Sequence, residues 1–138
     1  MAQVKVIIEK GKDGLYSAYC PDFEFKGYSF GGFGENASEA KADFLASVED
    51  VKKLYCEEHH CNADELNAIS FDWHYDIPSM FGCFPYLNIT KFAEVVGINT
   101  SKMRQYARGL AYPSEKTTQK IEAGMHSIVA DLSKVHFS

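Results

Sequence analysis

The chain opens on a period of two. Val4, Val6 and Ile8 alternate with Lys5, Ile7 and Glu9, which predicts a strand over residues 3–10. Gly11-Lys12-Asp13-Gly14 supplies turn chemistry, and 15–20 reads as the returning strand of a hairpin that Pro21-Asp22 ends. Residues 25–33 are aromatic and predict a third strand, weakened by Gly31, Gly32 and Gly34. The period then changes. Ala37, Ala40, Phe44, Val48, Val51 and Tyr55 recur at three and four residues, while Glu39, Asp43, Asp50, Lys53 and Glu57 take the other side. This predicts one long amphipathic helix over 37–58, capped by Asn36 with Glu39 three residues on. Strict alternation returns in Ile69, Phe71, Trp73 and Tyr75 against Ser70, Asp72 and His74, a half-buried strand over 68–75. The expected order is β-β-β-α-β, a small α+β unit.

Beyond Asp76-Ile77-Pro78 the pattern is helical, so the domain boundary is expected there, dividing residues 1–76 from an all-α unit at 77–138. Residues 79–87 are expected to supply a short first helix over the core of that second unit. Residues 88–109 then hold two short helical patterns. Phe92, Ala93 and Val96 form one apolar face, Met103 and Tyr106 another, and Gly97 and Ile98 make the corner between them. Gly109, Pro113 and Ser114 follow at fixed spacing. This set resembles the helix-turn-helix of the phage-repressor-like branch, whose second helix lies in the DNA major groove. Ser114 caps a last helix over 115–135 with the apolar stripe Ile121, Met125, Ile128, Val129 and Leu132. The stripe is longer than a three-helix core needs, so its end is expected to contact a second copy.

Charge sharpens this division. The net charge of −5 alone argues against nucleic acid, but residues 1–77 carry seven Lys and Arg against fifteen Asp and Glu, a net −8. Residues 78–138 carry seven against four, a net +3. Such asymmetry suggests two modules with different partners. Within the basic half, Asn99, Thr100 and Ser101 open the second helix, and Arg104, Gln105 and Arg108 follow on its outward face, where arginine and glutamine can read base edges. Lys91, Lys102, Tyr112, Ser114 and Lys116 are placed for phosphates. Repressors of this kind gain specificity by binding two half-sites, which calls for a homodimer or higher oligomer.

The 138 residues are 46% apolar and 24% charged, which fits a folded chain. No apolar run would span a bilayer and the first residues lack a signal-peptide core, so a cytoplasmic protein without a membrane partner is expected. In that compartment Cys20, Cys56, Cys61 and Cys83 are expected as free thiols. Cys56, His59, His60 and Cys61 are residue types that zinc uses, but all lie at one helix end, whereas zinc signatures have two separated ligand pairs. A polar helix end with histidines suited to the dipole is the reading preferred, with no metal and no cofactor. Metal-dependent nuclease chemistry would need converging carboxylates, for which Glu9, Asp22, Glu24 and Asp72 are the candidates. Glu9 and Asp72 can share a wet sheet face, whereas Asp22 and Glu24 fall in a turn. No nucleophile elbow or phosphate loop is present, and no enzyme is expected. A ligand-responsive repressor, with Tyr16, Tyr28 and Phe30 lining its pocket, is the other alternative.

The first half is similar to the HicB antitoxin family. Tyr16-Ser-Ala18 in the second strand, the following Pro21-Asp22, and Gly34-Glu35-Asn36-Ala37-Ser38-Glu39-Ala40 at the helix start carry the resemblance. Asn36 stands where the family has threonine, and Glu24-Phe25-Lys26-Gly27 stands where it has a Pro-Gly-Cys step. Many members carry a helix-turn-helix after this domain, so the resemblance spans the chain. It implies a degenerate ribonuclease-H-like fold without activity, a HicA-like ribonuclease toxin as partner, and repression of the shared operon by the second domain. On this reading Asp43, Glu49, Asp50 and Glu57 are expected to meet the basic toxin, with Tyr28 or Phe30 as a buried anchor.

Overall fold

The computed structural model describes residues 2–59 and 64–138, which divide into two compact units, Met1–Cys83 and Phe84–Ser138. The fold is mixed α+β, with one four-stranded sheet and six helices among the described residues. None of these helices is long and apolar enough to cross a membrane.

In the first unit β1 (Ala2–Lys10), β2 (Tyr16–Tyr19) and β3 (Gly31–Gly34) form an antiparallel run. Helix α1 (Ala37–His59) and the single turn α2 (Asp64–Asn67) then lead to β4 (Ile69–Tyr75), parallel to β1, so the sheet order is β3-β2-β1-β4. The alternation of β1 is realised: Val4, Val6 and Ile8 are buried, and Val6 and Ile8 share one core with the buried face of α1. The helix face is Ala37, Ala40, Phe44, Val48, Val51 and Tyr55, all buried, as the spacing predicts. Phe44 anchors it, with ring centroids 5.3 Å from Phe71 and 5.5 Å from Trp73 in edge-to-face contact. Asn36 Oδ1 accepts from Glu39 N at 2.8 Å while Glu39 Oε2 accepts from Glu35 N at 2.9 Å. Carboxylate and cap thus both serve the helix start, with the carboxylate reaching one residue beyond the cap.

Two expectations change. The third strand is only Gly31–Gly34, not 25–33. Phe25 and Tyr28 exchange both backbone bonds at 2.8 Å around Lys26 and Gly27, whose φ values are +47° and +89°, so the segment is a tight local turn before the strand begins. The glycines of β3 have a non-local reason. A Cβ on Gly32 would lie 2.3 Å from Phe44 N and 2.5 Å from Ala40 O, so only glycine lets the α1 backbone rest on this strand. The approach also covers the strand's outer edge: Ser47 Oγ accepts from Gly31 N at 3.1 Å, and Asp43 Oδ2 from Phe33 N at 2.9 Å.

The second change concerns the boundary, expected after Asp76. The strand β4 turns straight into α3 (Ile77–Cys83), which packs on α1, β1 and β4, and the unit ends at Cys83. Asp76 makes the join. Its carboxylate accepts from Ser79 N at 2.9 Å as a helix cap and from Lys10 N at 2.8 Å across the sheet. Pro78 sits in the first turn of α3, where its missing N–H is not needed. The expected cover helix at 79–87 therefore belongs to the first unit, with Pro78, Ser79 and Met80 buried there.

The second unit holds α4 (Ile89–Val96), α5 (Thr100–Ala107) and α6 (Glu115–Leu132) around Phe92, Ala93, Val96, Met103, Tyr106 and Ile121. Of the α6 stripe only Ile121 is buried. Met125 and Ile128 are half-buried, and Val129 and Leu132 are exposed.

Candidate nucleic-acid interface

Helix α4 begins at Asn88, whose Oδ1 accepts from Lys91 N at 2.9 Å, and ends at Gly97 with φ 77° and ψ 32°. That left-handed conformation is costly for residues with a Cβ, and it reverses the chain within Gly97-Ile98-Asn99. Ile98 N donates back to Ala93 O at 2.9 Å, and Asn99 restarts a helix by accepting from Lys102 N at 3.0 Å. Helix α5 closes with Gly109 N on Tyr106 O and Leu110 N on Gln105 O, the paired bonds of a glycine-terminated helix. Each end of this pair of helices is thus fixed by a local cap.

The caps decide which side chains face out. Met103 and Tyr106 point into the core, while Ser101, Lys102, Arg104, Gln105 and Arg108 are exposed. An α-helix with its side chains is about 10–12 Å across, close to the width of a DNA major groove. The expected outward face of α5 is therefore one continuous surface. Thr100 is half-buried at its start. Lys91 and Lys116 are exposed at the starts of α4 and α6, and Tyr112 is exposed in the loop before α6. Lys91 pairs weakly with Glu94 at 3.7 Å, and Lys102 lies 5.9 Å from the Tyr106 ring centroid.

Several expected contact residues have structural duties. Asn99 Oδ1 is engaged in its cap, leaving its amide N–H groups for a ligand. Ser114 Oγ accepts from Thr117 N at 3.2 Å as the cap of α6. Arg104 donates to Thr90 Oγ1 at 2.8 Å, which fixes its guanidinium between α4 and α5. Two residues were not anticipated. Thr90 holds Arg104, and Lys120 donates to Gly97 O at 2.9 Å. Lys120 lies four residues after Lys116, a spacing that places both on one face of α6; nothing in the sequence flags Thr90.

The expected toxin-facing residues of the first unit do not converge. Phe30 is 5% exposed and packs against Phe23, Phe44 and Phe71, so it is core rather than an interface anchor. Tyr28 is half-buried and donates its hydroxyl to Glu58, a bond that raises its pKa above the ordinary tyrosine value. Asp43 serves the β3 edge, and Glu49 pairs with Lys52 at 3.0 Å. Asp50 and Glu57 are exposed on α1. The sheet face opposite α1 is more continuous. It presents Lys5, Ile7, Glu9, Tyr19, Phe33, Asp72 and His74, with Phe33 74% exposed and Tyr19 donating to Glu9 at 3.1 Å. Burial, then the Glu9 bond, raises the Tyr19 pKa.

Among the described residues no three His, Cys, Asp or Glu side chains are grouped as a metal site requires. Cys56 is half-buried, and His59 is exposed with its ring 4.5 Å from Tyr55. His60 and Cys61 lie outside the described residues. Comparison with protein-family models, with curated proteins and with solved structures finds no match to this chain.

Proposed function

We propose that the chain is a HicB-type antitoxin. Its second unit is a helix-turn-helix repressor domain, and its first, a degenerate ribonuclease-H-like domain without activity, silences a HicA-like ribonuclease. The observation that carries the reading is the capped turn at Gly97-Ile98-Asn99. It fixes α5 so that Lys102, Arg104, Gln105 and Arg108 share an outward face beside Lys91 and Lys116. A helix with arginine and glutamine outward suits major-groove reading, and the surrounding lysines suit phosphates. The half-buried to exposed run from Met125 to Leu132 on α6 supplies an apolar surface for the dimer that two half-sites require.

The antitoxin half of the proposal is supported by charge and by order along the chain. The first unit carries −8 and the second +3. A ribonuclease holds phosphates with basic residues, so an acidic domain is attracted to the surface that RNA would occupy. Asp50 and Glu57 on α1, with the open sheet face around Phe33, are the surfaces offered.

The test has two arms. Full-length chain is titrated against the DNA upstream of its own reading frame at low and moderate salt. No sequence-dependent binding at low salt would sink the repressor reading. The adjacent small reading frame is co-expressed with residues 1–83, a fragment that keeps α3 and its buried Pro78, Ser79 and Met80. If that frame is toxic and the folded fragment neither rescues growth nor co-purifies, the antitoxin reading fails. The chain would then be a ligand-responsive repressor.

A further inference from the structure

Helix α5 carries two kinds of polar residue on its outward side. Successive residues of an α-helix stand about 100° apart around its axis. Met103 and Tyr106, both buried, fix the inward direction. Ser101, Gln105 and Arg108, spaced four and then three residues apart, form one stripe opposite them. All three are exposed, and among the described residues none of their side chains has a partner. Lys102 and Arg104 flank the stripe, one on each side, and both are held. The Lys102 ammonium lies 5.9 Å from the centroid of the Tyr106 ring. Arg104 Nη2 donates at 2.8 Å to the hydroxyl of Thr90, a half-buried residue in the first turn of α4.

We propose that Thr90 positions Arg104 on a DNA phosphate, and that base sequence is read by Ser101, Gln105 and Arg108. The proposal rests on the repressor reading and divides its contact face. An arginine that reads a base extends into the groove, where its fork meets guanine O6 and N7. The Thr90 bond instead draws the Arg104 guanidinium to the side of α5, towards α4. One Nη2 hydrogen is used there, and the other N–H donors of the fork remain for phosphate oxygens. Phosphates stand where duplex geometry puts them, whatever the sequence, so a donor set in advance suits them. Setting it in advance also removes part of the cost of ordering a long side chain on binding. Lys91, next in the chain to Thr90, is exposed and adds positive charge on the same turn of α4.

The test uses full-length variants in anisotropy titrations at several salt concentrations. The duplexes are the DNA upstream of the chain's own reading frame and copies of it with single base-pair changes. Arg104→Ala should reduce the slope of log affinity against log salt by about one unit and leave the ranking of the duplexes unchanged. Gln105→Ala should change that ranking. Thr90→Val keeps the branched shape and removes the hydroxyl. It should weaken binding to every duplex about two- to fivefold, and Thr90→Ser should restore it. In an Arg104→Ala background Thr90→Val should have no further effect, whereas a merely structural role for Thr90 would weaken binding in both backgrounds. Urea unfolding checks that each variant is folded. A parent chain that binds no duplex at low salt overturns the repressor reading and this proposal with it. Where the parent binds, three results overturn the proposal alone. Arg104→Ala keeps the parental slope, Arg104→Ala shifts base preference at one position, or Thr90→Val acts equally with and without Arg104 or not at all.

Discussion

The Lys120 ammonium donates to the Gly97 carbonyl oxygen at 2.9 Å, so α6 holds the turn that orients α5. Lys120→Met keeps the aliphatic stem and removes the bond. It should lower stability by about 1 kcal/mol in urea unfolding. Gly97→Ala should cost about 1–2 kcal/mol through its φ of 77°, since its Cβ would meet only the flexible Lys120 side chain at 3.3 Å. The two changes act on one turn, so the double variant should lose less than the sum.

Ser79 is fully buried, and its hydroxyl has no hydrogen-bond partner among the described residues. Ser79→Ala removes an unpaired polar group without opening a cavity of any size. It should raise stability by about 1 kcal/mol, read as a higher urea midpoint at unchanged slope.

Phe30 and Tyr28 should separate core from surface. Phe30→Ala removes a ring packed on Phe44 and Phe71 and should cost about 3–5 kcal/mol. Tyr28→Phe removes only the hydroxyl bond to Glu58 and should cost less than about 1 kcal/mol. Thermal unfolding decides this. A Phe30→Ala chain as stable as its parent would return Phe30 to the list of contact residues.

Burial raises the thiol pKa of Cys20, and it raises that of Cys83 against the opposing influence of Lys41 and Ser38. Both thiols therefore keep their protons to higher pH in the folded chain than in the unfolded one. At pH 8 their alkylation by iodoacetamide should be slower than in urea, as read by peptide mass. Because the folded state binds these protons more tightly, the associated stability is full below the unfolded thiol value of about 8.5. It should be lost as pH rises through the folded value.

On DNA, Arg108→Ala should cost about 1–3 kcal/mol on the preferred sequence and relax base preference. Lys116→Ala should weaken all sequences alike and reduce the slope of log affinity against log salt by about one unit. Anisotropy titrations at several salt concentrations distinguish the two. Arg104→Ala should also lower stability, since Thr90 Oγ1 loses its donor.

The parts legible in the sequence are those written in one segment. The stripe from Ala37 to Tyr55 needs only its own spacing, as does the alternation from Ile69 to Tyr75. The caps Asn36, Asn88, Asn99 and Ser114 also act within three residues of themselves. The parts that were not legible depend on distant neighbours. Gly32 is explained by the α1 backbone, and the placement of α3 by a carboxylate at Asp76 that reaches Lys10, sixty-six residues away. Phe30 is aromatic in a glycine-rich stretch, which fits a surface anchor as well as a core ring until the packing is seen. The outward face of α5 could be read from its period, but the tether from Arg104 to Thr90 crosses between helices and leaves no periodic trace.

The Ser47 and Asp43 side chains that occupy the β3 edge also set a limit on size. A sheet with two open borders can recruit copies without end, the geometry of a fibril. Here one border is already stopped from within the chain. Loosening that stopper, as in an Asp43→Ala/Ser47→Ala double variant, would bare the Gly31 and Phe33 N–H groups to a strand of another copy, and turbidity on standing would report it.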